Sequence, residues 1–348
     1  MNNPTKKTIL LLMIFAPLMV WGQQPYYDDV DLFLTGEDLY DELQTKISQF
    51  NTSYTYGEYR DDLLITDENP VNGSEVLLFY GFNDTDADCT TDRTRSDNLF
   101  GGAVCDYNRE HVFPRSVANP PMGDANNSSM GIVADPHNLR PTDVQRNGER
   151  GSRRFTTGSG NSIAIGGDLW YPGDEWRGDV ARAMMYMYVR YGDRCLPQLV
   201  GTGATQGGTD MLQLFLQWNV EDPVSDFEEQ RNPLFENTYG NRNPFIDNPV
   251  LATIIWGGPE AEDIWNLLSL EDNAINSLKI YPNPATDNVT ITASNTINNI
   301  EIYSILGKKM MSLEPSNAQL SQTINLSSFA TGVYLVKIDN QFRKLVLK

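Results

Sequence analysis

The last 71 residues differ in pattern from everything before them, and this break restricts the chain of 348 residues to a two-part architecture. Residues 278–348 alternate apolar and polar positions in short segments separated by turn residues, which predicts a small β-sandwich. An acidic connector, residues 259–277, follows two glycines and precedes this segment. Because 348 residues exceed one typical domain, residues 23–258 are expected to form another folded unit.

Residues 1–22 are predicted to be a signal peptide. Lys6 and Lys7 precede an uncharged apolar run, residues 9–21, and the small residue Gly22 follows it. Thirteen residues are too few to span a bilayer comfortably. We therefore expect export of the chain, and we do not expect the processed protein to be an integral membrane protein.

The counts of cysteine and histidine limit the zinc sites that the chain can form. Two histidines cannot form a three-histidine site, and three cysteines cannot form a four-cysteine cluster. Export permits a disulfide, and Cys89 and Cys105 are the nearest pair of cysteines in sequence. The alternative is that Cys89, Cys105 and Cys195 are all buried thiols, so the pairing stays open.

The net charge of −20, from 26 Lys and Arg against 46 Asp and Glu, is unevenly distributed. Residues 23–100 hold 18 acidic and 4 basic residues, whereas residues 101–200 hold 11 of each. From Arg140 to Arg154 there are five arginines and two acidic residues. An evenly acidic chain would be a poor nucleic-acid binder, because phosphate binding relies on Lys and Arg. Because of the basic cluster at residues 140–154, a nucleic acid remains a candidate ligand.

Several elements are predicted within residues 23–258. Thr35 precedes an amphipathic helix, and Ser225, with Glu228 three residues later, begins another. The apolar run at residues 74–82 predicts a buried strand. Apolar residues recur every three or four positions in residues 175–191, which predicts a core helix.

Both histidines lie within 27 residues, His111 in NREHVFPRS and His137 in DPHNLRPTDVQRNGERG. A neutral imidazole is the natural general base near neutral pH. Carboxylate and amide oxygens, such as those of Glu110 and Asn138, are hard ligands suited to Mg²⁺ or Ca²⁺. With arginines that can hold phosphates by forked hydrogen bonds, this set suits phosphodiester hydrolysis. The alternative for each histidine is a turn cap or a core hydrogen bond.

These two motifs, with WRGDVARAMMYM, EDPVSDFEEQRN and YGNRNPFID, resemble the endonuclease I family of periplasmic and extracellular nucleases over residues 60–256. The resemblance implies an α+β fold with a ββα-metal (His-Me finger) active site in a mainly helical surround. It implies that His111 is the general base. It also implies that Glu110 and Asn138 bind one divalent cation, Mg²⁺ or alternatively Ca²⁺ or Mn²⁺.

Further residues receive supporting roles in this interpretation. His137 is expected to orient the start of the helix next to the proposed ligand by hydrogen bonding. Asn147 and Arg150 look like a family NGxR pattern, which implies that they order the site or contact phosphate. Three more arginines are expected to bind substrate electrostatically, with a solvated face as the alternative: Arg140, Arg153 and Arg154.

The C-terminal segments YPNPATDNVTI, IYSILGKKM, LSSFATGVYLVKI and KLVLK resemble the type A sorting domain of the type IX secretion system. The resemblance implies that residues 278–348 engage this machinery, so that the protein is secreted or attached to the cell surface. We expect a monomeric, metal-dependent endonuclease that reads few bases and cleaves DNA, leaving 5′-phosphates, with RNA as an open second substrate. The alternatives are an extracellular ribonuclease of the same family and a non-catalytic surface-displayed binding protein.

Overall fold

A computed structural model describes residues 24–268, 278–305, 307–313, 315, 319–339 and 341–348. The chain divides into two compact units between Trp265 and Asn266. The predicted signal peptide and residues 269–277 of the predicted linker lie outside the described residues. No helix among the described residues is long and apolar enough to cross a membrane.

The first unit is mainly helical. Its α-helices are α1 Gly36–Ile47, α2 Tyr56–Thr66, α3 Val144–Arg150, α4 Arg177–Tyr191, α5 Gln213–Glu221, α6 Asp226–Glu229, α7 Arg231–Thr238, α8 Pro244–Asp247 and α9 Val250–Trp256. Its strands are β1 Glu68–Asn69, β2 Asn72–Leu77, β3 Thr94–Ser96, β4 Tyr107–His111, β5 Leu139–Asp143, β6 Arg154–Phe155, β7 Ile163–Ile165 and β8 Leu169–Tyr171. They form three small sheets with the orders β1-β2-β3, β4-β5 and β6-β8-β7.

The predicted elements of this unit are found with small differences. The core helix is α4, and it is buried on nearly all sides. Ser225 caps α6 by accepting a hydrogen bond from the Glu228 amide, as its pattern predicts. Thr35 precedes α1, but its side chain makes no capping hydrogen bond. The predicted strand at residues 74–82 ends early, at Leu77, and its buried continuation is irregular.

A ββα unit lies within this fold. Strands β4 and β5 pair antiparallel, with Glu110 opposite Arg140 and His111 opposite Leu139. Helix α3 follows β5 directly and contacts both strands. It ends at Gly151, whose φ of 52° lies in the left-handed region that favours glycine. The conformation of Gly151 therefore ends the helix directly after Arg150.

A disulfide and an arginine brace the start of α3. Cys89 and Cys105 are bonded to each other, whereas Cys195 is a buried free thiol. Arg95 donates to the backbone oxygens of both bonded cysteines and pairs with Asp143 at 2.8 Å. The other carboxylate oxygen of Asp143 caps α3 by accepting from two backbone amides, each at 2.9 Å. The disulfide region is therefore tied to the first turn of this helix.

The second unit is the predicted β-sandwich. Its strands are β9 Lys279–Tyr281, β10 Asn288–Ile297, β11 Ile300–Ser304, β12 Lys309–Leu313, β13 Gln319–Asn325, β14 Gly332–Ile338 and β15 Gln341–Leu347. They form two antiparallel sheets with the orders β13-β10-β9 and β12-β11-β14-β15. Alternate residues of both sheets, such as Ile291, Ile302 and Val336, meet in one buried core. The predicted α+β fold followed by an all-β region is confirmed.

Candidate active site

A cavity of about 700 Å³ opens beside the ββα unit. Its walls come from β4, from the end of α3 and from the loop at residues 114–125. It is lined by Tyr56, Arg109, Glu110, His111, Pro114, Arg115, Ser116, Pro121, Gly123, Asp124, Ala125, Asn147, Gly151 and Ser152. Three predicted site residues therefore share one cavity: Glu110, His111 and Asn147.

The hydrogen bond of His111 defines which ring nitrogen can act as a base. Nε2 lies 2.8 Å from the carbonyl oxygen of Val133. Because a carbonyl oxygen can only accept, Nε2 carries the proton in the neutral ring and Nδ1 keeps its lone pair. Burial lowers the pKa of His111 to about 3, so the ring is neutral at neutral pH. The ring is therefore arranged to take up a proton at Nδ1.

Glu110 is buried beside a positive charge. Its side chain is 4% exposed, and its Oε1 lies 3.2 Å from Nη1 of Arg150, a fully buried residue of α3. The Tyr80 hydroxyl lies 3.4 Å from the same oxygen. Burial raises the pKa of Glu110 to about 7, while Arg150 opposes this shift. One guanidinium therefore does not offset the desolvation of this carboxylate, and a further cation would favour its ionised form.

Arg150 orders the backbone of the site by hydrogen bonds. Its guanidinium donates to the backbone oxygens of His111 at 3.3 Å, Gly151 at 3.0 Å and Val112 at 2.7 Å. These bonds fix the end of β4, where His111 lies. Of the two roles expected for Arg150, its position fits the ordering role, because a fully buried guanidinium does not face the cavity.

The two asparagines of the predicted site have different surroundings. Asn138 is fully buried, and its amide makes two hydrogen bonds with the backbone of Phe113, at 2.7 Å and 3.1 Å. With its oxygen and nitrogen both used there, this placement does not fit the predicted role of Asn138 as a metal ligand. Asn147 lines the cavity instead, and its Nδ2 donates to Asn108 Oδ1 at 2.7 Å. That bond uses the amide nitrogen, so the amide oxygen of Asn147 is the atom that suits a cation.

Tyr56 contacts two residues of β4 with one ring. The imidazole of His111 stacks on it, with centroids 5.4 Å apart and an interplanar angle of 17°. The guanidinium carbon of Arg109 lies 3.6 Å from the centroid of the same ring. Arg109 and His111 are two positions apart in the strand, so their side chains leave it on the same face. The tyrosine therefore fixes the arginine and the histidine relative to each other.

Five of the predicted supporting residues lie outside the residues that line the cavity: His137, Arg140, Arg150, Arg153 and Arg154. Arg140 is buried between Asp67 and Asp179, at 3.2 Å and 2.9 Å, which does not fit its expected contact with substrate. His137 is a core residue whose Nε2 lies 3.1 Å from Asn241 Oδ1, and its ring packs on Tyr186. It therefore makes hydrogen bonds, but not at the cavity wall.

The last two predicted arginines lie on the chain after α3. Arg153 donates to the Glu149 backbone oxygen, and the exposed Arg154 lies 3.7 Å from Asp168. Neither of them lines the cavity. Three residues that do line it were missed by sequence reasoning: Tyr56, Arg109 and Arg115. Arg109 precedes Glu110 directly, so alternation along β4 was the signal that could have placed it on the face of His111.

The donor set suits a hard cation. A glutamate carboxylate and an asparagine amide oxygen are typical ligands of Mg²⁺, Ca²⁺ or Mn²⁺. No group of three or more His, Cys, Asp or Glu residues that could hold a metal occurs among the described residues. A cation at Glu110 and Asn147 would therefore keep several waters, which is usual for Mg²⁺.

Comparison with known proteins relates both units to families. Residues 35–250 match the endonuclease I family, and residues 279–348 match the secretion system C-terminal sorting domain. An extracellular ribonuclease of Bacillus subtilis (strain 168) is 39% identical over 71% of this chain and 83% of its own length. An extracellular ribonuclease of Bacillus amyloliquefaciens is 38% identical over 61% and 71%, respectively. A periplasmic deoxyribonuclease of Aeromonas hydrophila is 30% identical over 33% and 48%.

Proposed function

Because this chain belongs to the endonuclease I family, we propose that its cavity is the active site of a divalent-metal-dependent endonuclease that cleaves DNA and RNA. Its relatives and its sorting domain make it a secreted hydrolase of nucleic acid. The substrate range, the metal and the residue roles are the proposal. The observation that carries it is the meeting of Glu110, His111 and Asn147 at one cavity.

His111 is the proposed general base. Its Nε2–H is held by the Val133 carbonyl, so Nδ1 accepts a proton from water. The water oxygen forms a bond to phosphorus as the bond from phosphorus to the 3′ oxygen breaks. The products are a 5′-phosphate and a 3′-hydroxyl, which takes up a proton from solvent. A positioned base of this kind contributes roughly 10² to 10⁴ in rate.

Glu110 and Asn147 are the proposed metal-holding residues, in place of the expected pair Glu110 and Asn138. When bound there, a divalent cation would neutralise the scissile phosphate and stabilise charge on the departing oxygen. Arg150 keeps the Glu110 side chain in position through their ion pair of 3.2 Å. The hydrogen bond from Asn147 Nδ2 to Asn108 orients the amide in the same way.

The proposed attack by water explains why both polymers are expected substrates. It does not use the 2′-hydroxyl of the sugar, so the chemistry is the same for DNA and RNA. Contacts with the phosphate backbone carry no sequence directly. The second candidate is a ribonuclease with little action on DNA. It is favoured by the two extracellular ribonucleases, which match 71% and 61% of this chain against 33% for the deoxyribonuclease.

The test compares a DNA and an RNA oligonucleotide of the same sequence, each with Mg²⁺ and with EDTA. We expect cleavage of both with Mg²⁺, loss of cleavage in EDTA, and a fall of roughly hundredfold or more in His111→Ala. Arg60→Gln, on an exposed face of α2, is the control and should cleave normally. Full activity of His111→Ala would refute the mechanism, and cleavage of RNA alone would select the second candidate.

A further inference from the structure

Two arginines at the cavity differ from nearly all other cations of the first unit. Residues 24–268 hold 17 Lys and Arg against 40 Asp and Glu, a net charge of −23. Thirteen of these 17 cations lie within 4.0 Å of a carboxylate. Within this described range, the remaining four are Arg109, Arg115, Arg153 and Arg194. Two of the four, Arg109 and Arg115, line the cavity.

Both side chains are held in place by contacts that do not include a carboxylate. Arg109 lies over the Tyr56 ring and donates to the Tyr56 backbone oxygen and, at 3.1 Å, to Asn127 Oδ1. Arg115 donates to the Gly123 backbone oxygen at 2.7 Å. A guanidinium has five N–H donors, so these bonds leave others available to a ligand. Both groups are therefore oriented before a ligand arrives.

The two arginines flank the proposed base along the chain. Arg109 is two residues before His111 on β4, and Arg115 is four residues after it at the cavity wall. Arg109 and His111 also contact the same Tyr56 ring. Glu110 and Asn147, the proposed metal-holding pair, complete the lining near them. Both guanidinium groups therefore line the same cavity as the proposed base.

We infer that Arg109 and Arg115 form a phosphate-binding subsite that holds phosphodiester groups of the substrate strand next to the one being cleaved. The inference rests on the proposed function. It extends that function because it assigns binding of the substrate strand to residues other than Glu110, His111 and Asn147. Guanidinium groups suit this role through forked, charge-assisted hydrogen bonds to phosphate oxygens.

The charge of the unit explains why such a subsite is needed. A body of net charge −23 repels a polyanion at long range. Cations that are already paired with carboxylates have little charge left for phosphates. Unpaired cations close to the site of cleavage can supply positive charge for the neighbouring phosphates. Arg109 and Arg115 meet both conditions.

The experiment measures binding separately from cleavage. The full chain with His111→Gln is titrated against a labelled single-stranded oligonucleotide at several NaCl concentrations, with and without Arg109→Gln or Arg115→Gln. Each phosphate contact contributes roughly 0.7 to the slope of log Kd against log salt for single strands. We expect each substitution to weaken binding and to lower that slope by about this amount.

Matched variants decide whether charge at these positions is responsible. Arg93→Gln removes one exposed charge that is already paired with Glu175 and should leave the slope unchanged. Arg109→Lys and Arg115→Lys keep the charge and should keep most of the slope, whereas thermal melting checks that all variants are folded. Unchanged slopes in folded Arg109→Gln and Arg115→Gln would overturn the subsite. Cleavage at the normal rate by the His111→Gln protein would instead overturn the proposed function, and the two failures are distinct.

Discussion

The side-chain amide of Asn138 makes two hydrogen bonds with the backbone of Phe113, two residues after His111. The pair fixes the chain where it leaves β4, so Asn138 supports the site without facing the cavity. Asn147, nine residues later on α3, does face it. The two asparagines are therefore expected to respond differently to the same substitution.

Asn138→Ala should destabilise the fold, and Asn147→Ala should weaken the binding of the metal ion. The first leaves a buried N–H and a buried C=O of Phe113 without their partners, at about 1–3 kcal/mol for each group. The second should raise the Mg²⁺ concentration that gives half-maximal cleavage by roughly tenfold or more. Urea unfolding and Mg²⁺ titration measure the two effects. A stable Asn138→Ala protein with a raised Mg²⁺ requirement would return the ligand role to Asn138.

Two substitutions of Tyr56 should separate the contribution of its ring from the contribution of its hydroxyl. Tyr56→Phe keeps the stack on His111 and Arg109 and should cleave at nearly the normal rate. Tyr56→Leu removes the ring, whose packing with another aromatic group is worth about 0.5–1.5 kcal/mol. We expect kcat to fall by up to roughly tenfold. Equal kcat values for Tyr56→Leu and the unaltered protein would show that the stack does not position the base.

Arg150→Met should be among the most destabilising single substitutions at the site. It leaves the Glu110 carboxylate buried without its partner, and breaking a buried ion pair typically costs about 3–5 kcal/mol. The double variant Arg150→Met/Glu110→Gln removes both charges and should recover part of the loss. The free energy of unfolding in urea is the measurement. A double variant less stable than Arg150→Met alone would contradict this account of the pair.

Loss of the disulfide should lower both stability and activity. A loop of about 15 residues closed by a disulfide is worth roughly 3 kcal/mol, so Cys89→Ser/Cys105→Ser should unfold at lower urea. Activity should also fall, because Arg95 and Asp143 link the bonded cysteines to the first turn of α3. Cys195→Ala, which removes a thiol outside the disulfide, is the control. Normal kcat in the folded double variant would show that α3 does not depend on this brace.

The sequence was sufficient for the elements whose patterns are local. The periodicity of residues 175–191 and the alternation after residue 278 each predicted an element that the structure contains. Glu110 and His111 are adjacent in the chain, so one motif was enough to select both as candidate site residues. For the helix and the strands, the physical cause is burial of one face of the element. The regular spacing of apolar residues along the chain reflects that burial.

The remaining site residues depend on distant parts of the chain. Asn138 and Asn147 both follow the histidine motif, and the packing of α3 on β4 and β5 accompanies the placement of Asn147, not Asn138, at the cavity. Arg140 lies opposite Glu110 in that sheet, yet Asp67 and Asp179 draw it into the interior. Tyr56 comes from α2, far from the motif in sequence. Partners supplied by other elements of the fold determined these outcomes, and no local pattern contains them.

The position of the Cys89–Cys105 bond has a consequence for the cell that makes this protein. Thiols stay reduced in the cytosol, so a newly made chain lacks this covalent bond next to helix α3 until it has left that compartment. We therefore expect the chain to be least competent to cut while it is surrounded by the genome and transcripts of its producer. Formation of the disulfide after export would then restrict full activity to the outside of the producing cell.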